Sequence, residues 1–127
     1  MLNELDLVAF ITTADAAEAK RFYGEVLGLR FVEDGPFALV FDAHGTTLRI
    51  QKVERVAPPK ATVLGWSAPD LDATMDALIS RGVAFERFEG LPQDEKGIWT
   101  APGGARVAWF RDPDGNLLSL AQEPTSA

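Results

Sequence analysis

The sequence predicts an α+β fold built from two tandem βαβββ modules, because the same pattern of elements occurs twice. Residues 7–15 form an apolar strand pattern that runs into an acidic helix start, and residues 62–70 repeat that form at an offset of 55. Further on, FALVFDAHGTTLRI from Phe37 matches VAWFRDPDGNLLSL from Val107 at an offset of 70. Each module is therefore expected to contain a strand, a helix and three further strands.

The two helices are predicted from apolar periodicity between an aspartate and a glycine. Asp15 opens DAAEAKRFYGEVLG, whose apolar residues have helical spacing up to Gly28. In the second module Asp70 opens LDATMDALISRG, which ends at Gly82 in the same manner. Aspartate is a preferred N-cap residue and glycine a preferred C-cap residue, so both ends of both helices are marked.

The later strands of each module are predicted to flank a tight polar turn, residues 42–45 in the first module and 112–116 in the second. The larger second offset comes from GLPQDEKGIWTAPGGAR, a Gly- and Pro-rich insertion after the strand near Phe88. This insertion carries Trp99, and we expect it to form one wall of a cleft.

The chain is predicted to be a single domain of residues 1–127 with an internal linker. Pro58 and Pro59 lie in VERVAPPKAT and disfavour a continuous sheet ladder there. The predicted bounds are about 4–54 for module one, about 55–61 for the linker and about 62–122 for module two. A loose C-terminal tail, 123–127, is expected to follow.

Composition and charge exclude several classes of function. The chain is 46% hydrophobic and 24% charged, which is typical of a folded globular protein. Its net charge of -7 and lack of Lys or Arg clusters predict no nucleic-acid partner. There is no cysteine, no apolar run of about 20 residues and no basic start of a secretory signal, so we expect a cytoplasmic protein without a membrane partner. The acidity either attracts a cationic ligand or only maintains solubility.

Three segments resemble the vicinal-oxygen-chelate superfamily, which includes glyoxalase I, extradiol dioxygenases, fosfomycin-resistance enzymes and bleomycin-resistance proteins. They are RFYGEVLGLRFVED, DLDATMDALISRGVAF and RDPDGNLLSL, and with the repeat the resemblance covers nearly the whole chain. It implies an open, cup-shaped mixed sheet with the helices outside. It also implies a homodimer, with the cup formed either within one chain or across two.

The resemblance further implies four metal-ligand positions, at Val8, Arg49, Val63 and Ser119. Metals of this superfamily need lone-pair donors such as imidazole or carboxylate, and valine offers only methyl groups. A guanidinium does not coordinate a cation and would repel it. We therefore predict no metal and no other cofactor. A shift of strand register could place Gln51 rather than Arg49 in the cup.

Arg49 has two interpretations. A guanidinium facing an apolar cup suits a carboxylate or phosphate on a ligand, and the alternative is a salt bridge with Asp6, since a buried charge usually has a protein partner. Because side chains alternate along a strand, one face of each sheet is predicted to line the cup and the other to pack beneath the helices. The cup face would carry Asp6, Val8, Phe10, Thr47, Arg49, Gln51, Val63, Gly65, Ser67, Leu117, Ser119 and Ala121. The opposite face would carry Leu7, Ala9, Ile11, Leu48, Ile50, Leu64, Trp66, Leu118 and Leu120.

The aromatic residues and the single histidine have competing roles. Trp99 and Trp109 could stack on a planar ligand, but Trp66 and one of these two are expected to pack in the core, which leaves Trp99 as the better ligand candidate. His44 lies in a predicted turn and is expected to be exposed rather than catalytic. The DPDGN motif is too short for an EF-hand loop and indicates a turn.

Three functions remain open at this point. The first is a metal-independent small-molecule-binding protein of the bleomycin-resistance type, which sequesters a drug or an aromatic metabolite. The second is a metal-independent enzyme of the lyase or isomerase type that uses Asp6 or Arg49. The third, a glyoxalase-like metalloenzyme, is disfavoured by the four ligand positions. The residues expected to bind a ligand are Asp6, Val8, Phe10, Arg49, Gln51, Val63, Trp99, Trp109 and Ser119.

Overall fold

The computed structural model describes residues 1–124, and the last residues of the predicted tail, 125–127, lie outside them. The chain forms two compact units, Met1–Pro58 and Pro59–Ala127. The boundary falls between the two consecutive prolines of the predicted linker. Each unit contains one four-stranded mixed sheet and its own helix, so the predicted α+β class is confirmed.

The first unit has the predicted order of strand, helix and three strands. A short 3-10 helix, Leu2–Glu4, precedes them. Within the sheet the strand order is β1-β4-β3-β2, with β1 parallel to β4 and the remaining pairs antiparallel. The elements are β1 (Val8–Thr13), α1 (Ala16–Arg21), a π-helical continuation (Phe22–Val26), β2 (Arg30–Asp34), β3 (Ala38–Ala43) and β4 (Thr46–Lys52).

The second unit repeats this topology with the strand order β5-β8-β7-β6, and β5 is parallel to β8. Its elements are β5 (Leu64–Ser67), α2 (Leu71–Ser80), β6 (Trp99–Thr100), β7 (Arg106–Arg111) and β8 (Leu117–Gln122).

The strand predicted near Phe88 is only an isolated bridge between Phe85 and Phe110. Phe88 donates its backbone N–H to the side chain of Gln93 rather than to a strand, so the ladder stops and β6 from the insertion pairs with β7 instead.

The aspartates cap both helices as predicted. The Asp15 carboxylate accepts a hydrogen bond from the N–H of Glu18 at 3.2 Å, and the Asp70 carboxylate accepts one from the N–H of Ala73 at 3.1 Å. Gly28 and Gly82 follow the helices with φ of 76° and 93°, which an L side chain rarely adopts. The two helix starts are therefore equivalent in structure as well as in sequence.

Strand registers confirm the repeat and correct one detail of it. Phe10 pairs with Arg49 in the first sheet, and Gly65 pairs with Ser119 in the second, as the offsets of 55 and 70 require. Arg49 also pairs with Val40, whereas Ser119 pairs with Trp109, so β7 follows β3 at an offset of 69. A constant offset of 70 through this hairpin was wrong, because the second turn is one residue longer than the first.

The core of each unit lies on the predicted strand face. Ile11, Leu48 and Ile50 are buried in the first unit, and Leu118 and Leu120 in the second. Ala9, Leu64 and Trp66 are half-buried. The prediction was wrong for Leu7, whose side chain is 76% exposed because β1 begins only at Val8.

Candidate functional site

In the first unit, four candidate ligand residues share one face of the sheet. Val8 pairs with Thr47 and Phe10 pairs with Arg49, and Gln51 lies two residues beyond Arg49 on the same strand. Phe10 is 55% exposed, and Arg49 and Gln51 are exposed as well. This face therefore combines an apolar ring with a cation. Arg49 and Gln51 lie on the same face of the strand, so both side chains point the same way. The presence of Arg49 on this face therefore does not exclude Gln51 from it.

Arg49 is not neutralised by Asp6. Among residues 1–124 it forms no ion pair, so the structure does not contain the salt bridge with Asp6 that the sequence left open as one alternative. Asp6 precedes β1, which starts at Val8, and so the ladder that holds Arg49 does not fix the position of Asp6. The guanidinium of Arg49 is left exposed with its donors available.

In the second unit, Gly65, Ser119 and Trp109 form one row across three strands. A Cβ atom added to Gly65 would lie 2.8 Å from the Ser119 hydroxyl oxygen, which is too close for a carbon–oxygen contact. The hydroxyl thus occupies the space that a side chain at residue 65 would need. Ser119 can take this position because its strand neighbour is a glycine.

Beside this row lies an aromatic cluster that consists of Phe88, Trp99 and Trp109. The Trp99 and Trp109 rings are 6.2 Å apart between centroids with an interplanar angle of 35°, and Phe88 meets Trp109 edge-on at 5.5 Å and 87°. All three are half-buried. The indole N–H of Trp109 donates to the Thr62 hydroxyl at 3.2 Å. The cluster is therefore ordered and retains exposed ring surface.

The cluster differs from the prediction for the tryptophans in one way and agrees with it for Trp66. Both Trp99 and Trp109 belong to it, while Trp66 packs on the other face, stacked on Phe110 with centroids 6.4 Å apart. Sequence reasoning missed Phe88. The sequence feature that could have identified Phe88 is its position immediately before the insertion that carries Trp99, since the two ends of an inserted loop lie close together.

Charged groups next to this face are paired. Arg111, on the same face of β7 as Trp109, donates to the Glu86 carboxylate at 2.7 Å and to the carbonyl of Gly115 at 3.0 Å. The other residues of this face on the three long strands are uncharged: Gly65, Ser67, Val107, Trp109, Leu117, Ser119 and Ala121.

An ion-pair cluster holds the insertion against α2. Lys96 contacts Asp72 at 3.2 Å and Asp76 at 2.9 Å, and Arg106 contacts Asp72 at 3.0 Å. The hydrogen bond from Arg106, and then that from Lys96, lowers the pKa of the Asp72 carboxyl, and the bond to Asp76 raises the pKa of Lys96. These groups are largely solvated, so they orient the loop more than they stabilise the fold.

Comparison with known proteins settles the family. Residues 4–120 match the model of the Glyoxalase/Bleomycin resistance protein/Dioxygenase superfamily. The chain belongs to this superfamily. Virulence protein STM3117 of Salmonella typhimurium is 29% identical over 120 residues, which cover 88% of this chain and 79% of the relative.

Solved structures of this superfamily share the fold. A member from Sphaerobacter thermophilus is 26% identical with a TM-score of 0.70, and the match covers 94% of this chain and 99% of the other. TnmS3, an antibiotic binding protein from Streptomyces, is 27% identical with a TM-score of 0.66, and that match covers 94% and 98%.

The metal positions that the superfamily implies do not fit a metal here. Val8 pairs with Thr47, and Val63 donates its backbone N–H to Leu117, so the two valines hold equivalent places in the two sheets. Neither valine offers a donor atom, and Arg49 and Ser119 supply one cation and one neutral hydroxyl. In the described part of the chain, no group of three or more His, Cys, Asp or Glu residues could hold a metal ion.

Three other features lie away from the two sheet faces that carry the candidates. His44 is exposed in the β3–β4 turn with a φ of 50°, next to Gly45 at 93°. The Asp112 carboxylate accepts backbone hydrogen bonds from Asp114 and Asn116, which is turn chemistry as predicted. A shallow cleft of about 450 Å³ beside α1 contains none of the predicted site residues.

Within residues 1–124, none of the helices is long and apolar enough to span a bilayer.

Proposed function

We propose that this protein binds a small, uncharged, planar organic molecule on its second module and acts by sequestering it, without a metal. The single observation that carries the proposal is the cluster of Phe88, Trp99 and Trp109 beside Ser119, on a sheet face whose charged side chain, Arg111, is paired with Glu86. Aromatic side chains with few polar groups are the usual lining of small-molecule sites.

The geometry favours a flat ligand. Two indole rings tilted by 35° offer broad faces for stacking, and Phe88, at 87° to Trp109, limits the sideways position of a guest ring. The only side-chain hydroxyls on this face of β5 and β8 are those of Ser67 and Ser119, which suit one or two hydrogen bonds rather than a charge.

The neutral face revises the expectation from net charge. Glu86, a carboxylate next to the cluster, is already paired with Arg111, so it does not offer a free anion to a cationic ligand. The similarity to TnmS3, an antibiotic binding protein, supports binding rather than turnover.

A panel of naphthalene derivatives tests the proposal, because it holds the ring constant and varies the charge. We expect 2-naphthol to bind saturably in equilibrium dialysis, and more tightly than 2-naphthoate or 2-naphthylmethylammonium. Trp99→Ala should lower the affinity for 2-naphthol by about 2- to 12-fold, which is the range expected for the loss of one aromatic pair. Phe37→Ala is the matched control, because it removes an aromatic ring that is 82% exposed in the first unit, and it should leave the affinity for 2-naphthol unchanged. No saturable binding, or equal affinity in Trp99→Ala, would contradict the proposal.

The exposed Arg49 favours a second candidate, an anion-binding or metal-independent catalytic role for the first module. A free guanidinium beside Phe10 suits a carboxylate or phosphate, and Asp6 precedes Phe10 by four residues in the sequence. Titration of inorganic phosphate and acetate into the protein and into Arg49→Gln tests this role by calorimetry. Equal heats from both proteins would exclude it.

We also propose that two copies of the chain form a homodimer through the β1 side of the first unit. Of the large hydrophobic residues exposed within residues 1–124, all but Ile79 lie in Met1–Pro58. Val8 and Phe10 are among them, and β1 pairs only with β4 among the described strands, which leaves its other edge for a partner strand.

Light scattering during gel filtration tests the dimer. We expect twice the chain mass for the parent, the chain mass for Phe10→Glu and no change for Phe37→Glu. A monomeric parent, or a dimeric Phe10→Glu, would contradict the proposal.

A further inference from the structure

We infer that Gln93 is the positioning residue of the aromatic cluster, and this inference rests on the proposed function. Gln93 lies in the insertion and is half-buried. Its side-chain N–H groups donate to the carbonyls of Glu86 at 3.0 Å and Gly97 at 2.8 Å. Its Oε1 accepts from the N–H of Phe88 at 2.8 Å. Both donors and one acceptor site of a single carboxamide are thus used on backbone groups.

These bonds join the two stems of the insertion. Glu86 and Phe88 belong to the segment before it, and Gly97 precedes Trp99 on the segment that returns. Gln93 also forms a backbone bridge with Trp99. One side chain therefore joins the backbones that carry Phe88 and Trp99, and β6 pairs Trp99 with Val107 on β7, the strand that carries Trp109.

Other contacts in the insertion do not replace this link. The Asp94 carboxylate accepts from the N–H groups of Lys96 and Ile98, which orders the tip of the loop only. The Lys96 ion pairs attach the tip to α2. The Arg87 side chain also joins the stem before the insertion to the tip, through the carbonyls of Asp94 and Glu95, but neither it nor the two other sets bonds the N–H of Phe88. Loss of the Gln93 carboxamide would leave Phe88 without its link to the returning stem, and would leave Trp99 held to β7 only by the two-residue ladder of β6.

The consequence for binding is preorganisation. A cluster held at fixed spacing does not have to be ordered when a ligand binds, and that ordering otherwise reduces affinity. We therefore expect Gln93→Leu to bind 2-naphthol roughly fivefold or more weakly, which corresponds to the loss of one or two net hydrogen bonds. Gln122→Leu is the matched control, because the Gln122 amide oxygen accepts from the N–H of Leu71 at 2.9 Å at the start of α2 rather than from a group of the insertion.

A spectroscopic readout tests the geometry without any ligand. Two indoles 6.2 Å apart should give an exciton couplet in far-ultraviolet circular dichroism. The couplet should vanish in Trp99→Phe and in Trp109→Phe, and remain in Trp66→Phe. Gln93→Leu should weaken the couplet, because Trp99 is then held to β7 only by the short β6 ladder, and Gln122→Leu should leave it unchanged. A couplet absent from the parent, or unchanged in Gln93→Leu, overturns the inference.

Gln93→Glu is a second variant in case Gln93→Leu does not fold. An ionised carboxylate would face the carbonyls of Glu86 and Gly97 without a hydrogen to donate, whereas the protonated acid can donate one. The couplet of Gln93→Glu should therefore recover as the pH falls through the pKa of the new carboxyl, and the parent should show no such change. A pH-independent couplet equal to that of the parent overturns the inference. If the couplet behaves as expected but the parent binds no naphthalene derivative, the proposed function fails and the positioning role stands.

Discussion

The contact between residue 65 and Ser119 can be measured by a double-mutant cycle of Gly65→Ala and Ser119→Ala. The Cβ that Gly65→Ala introduces would lie 2.8 Å from the Ser119 hydroxyl oxygen, and its next neighbour, the Ser119 carbonyl oxygen, is at an acceptable 3.7 Å. The clash therefore depends on one atom, which Ser119→Ala removes. Gly65 has no positive φ, so its backbone conformation accommodates alanine.

The magnitude follows from two opposing effects. Replacing glycine in a strand by alanine is favourable by about 0.5–1 kcal/mol, because the unfolded chain loses conformational freedom. Forcing the Ser119 hydroxyl out of its rotamer costs about 0.5–1.5 kcal/mol. In the parent background the two effects nearly cancel, whereas in the Ser119→Ala background only the gain remains. We expect a coupling free energy of about 1 kcal/mol, with Gly65→Ala stabilising only when residue 119 is alanine.

Urea unfolding of the parent, both single variants and the double variant measures the coupling. Gly103→Ala is the control, because a Cβ there meets nothing within 4 Å. A coupling below about 0.3 kcal/mol, the usual error of additivity between independent sites, would refute the described placement of the Ser119 hydroxyl.

Three further predictions concern the core, a turn and the ion-pair cluster. Phe110→Ala should destabilise the protein by about 3–5 kcal/mol in urea unfolding, because Phe110 is fully buried, and Phe37→Ala, at an exposed site, should stay within about 0.5 kcal/mol. His44→Asn should raise the free energy of unfolding by a few tenths of a kcal/mol, since asparagine tolerates the positive φ of 50° better; a lower free energy would contradict that reading of the turn. The hydrogen bond from Arg106 lowers the pKa of Asp72 in the folded state, so the ionised carboxylate stabilises the fold above the unfolded pKa of 3.8. This stabilisation is lost as the pH falls through the folded pKa. In thermal unfolding, Asp72→Asn should therefore lose less stability below about pH 4 than the parent, and equal losses of stability would contradict the prediction.

The parts of the fold that local pattern determines were predictable from sequence. Asp15 and Asp70 mark helix starts because a carboxylate satisfies free N–H groups there, whatever the tertiary context. The alternation along β4 placed Leu48 and Ile50 in the core and Arg49 on the other face, because a strand has a period of two residues.

The parts that depend on contacts between distant residues were not predictable in the same way. The pairing of Arg49 with Asp6 failed because the strand starts two residues after Asp6, and strand ends are poorly marked in a sequence. Phe88 joined the aromatic cluster through a hydrogen bond to Gln93, five residues away within a loop. No periodicity encodes a bond of this kind, since it depends on the conformation of the insertion.

The charge of the whole chain proved a poor guide to the charge of the proposed site. The net charge of -7 left open a cationic ligand, yet many of the acidic side chains are engaged outside the aromatic cluster, in helix caps and in ion pairs. Ion pairs engage Glu18, Asp34, Asp42, Asp72, Asp76 and Glu86. A ligand responds mainly to charges within about one Debye length that are not already paired. The charge preference within the naphthalene panel therefore reports on the cluster and its immediate surroundings, and a strong preference for the cationic derivative would mean that unpaired carboxylates approach the site.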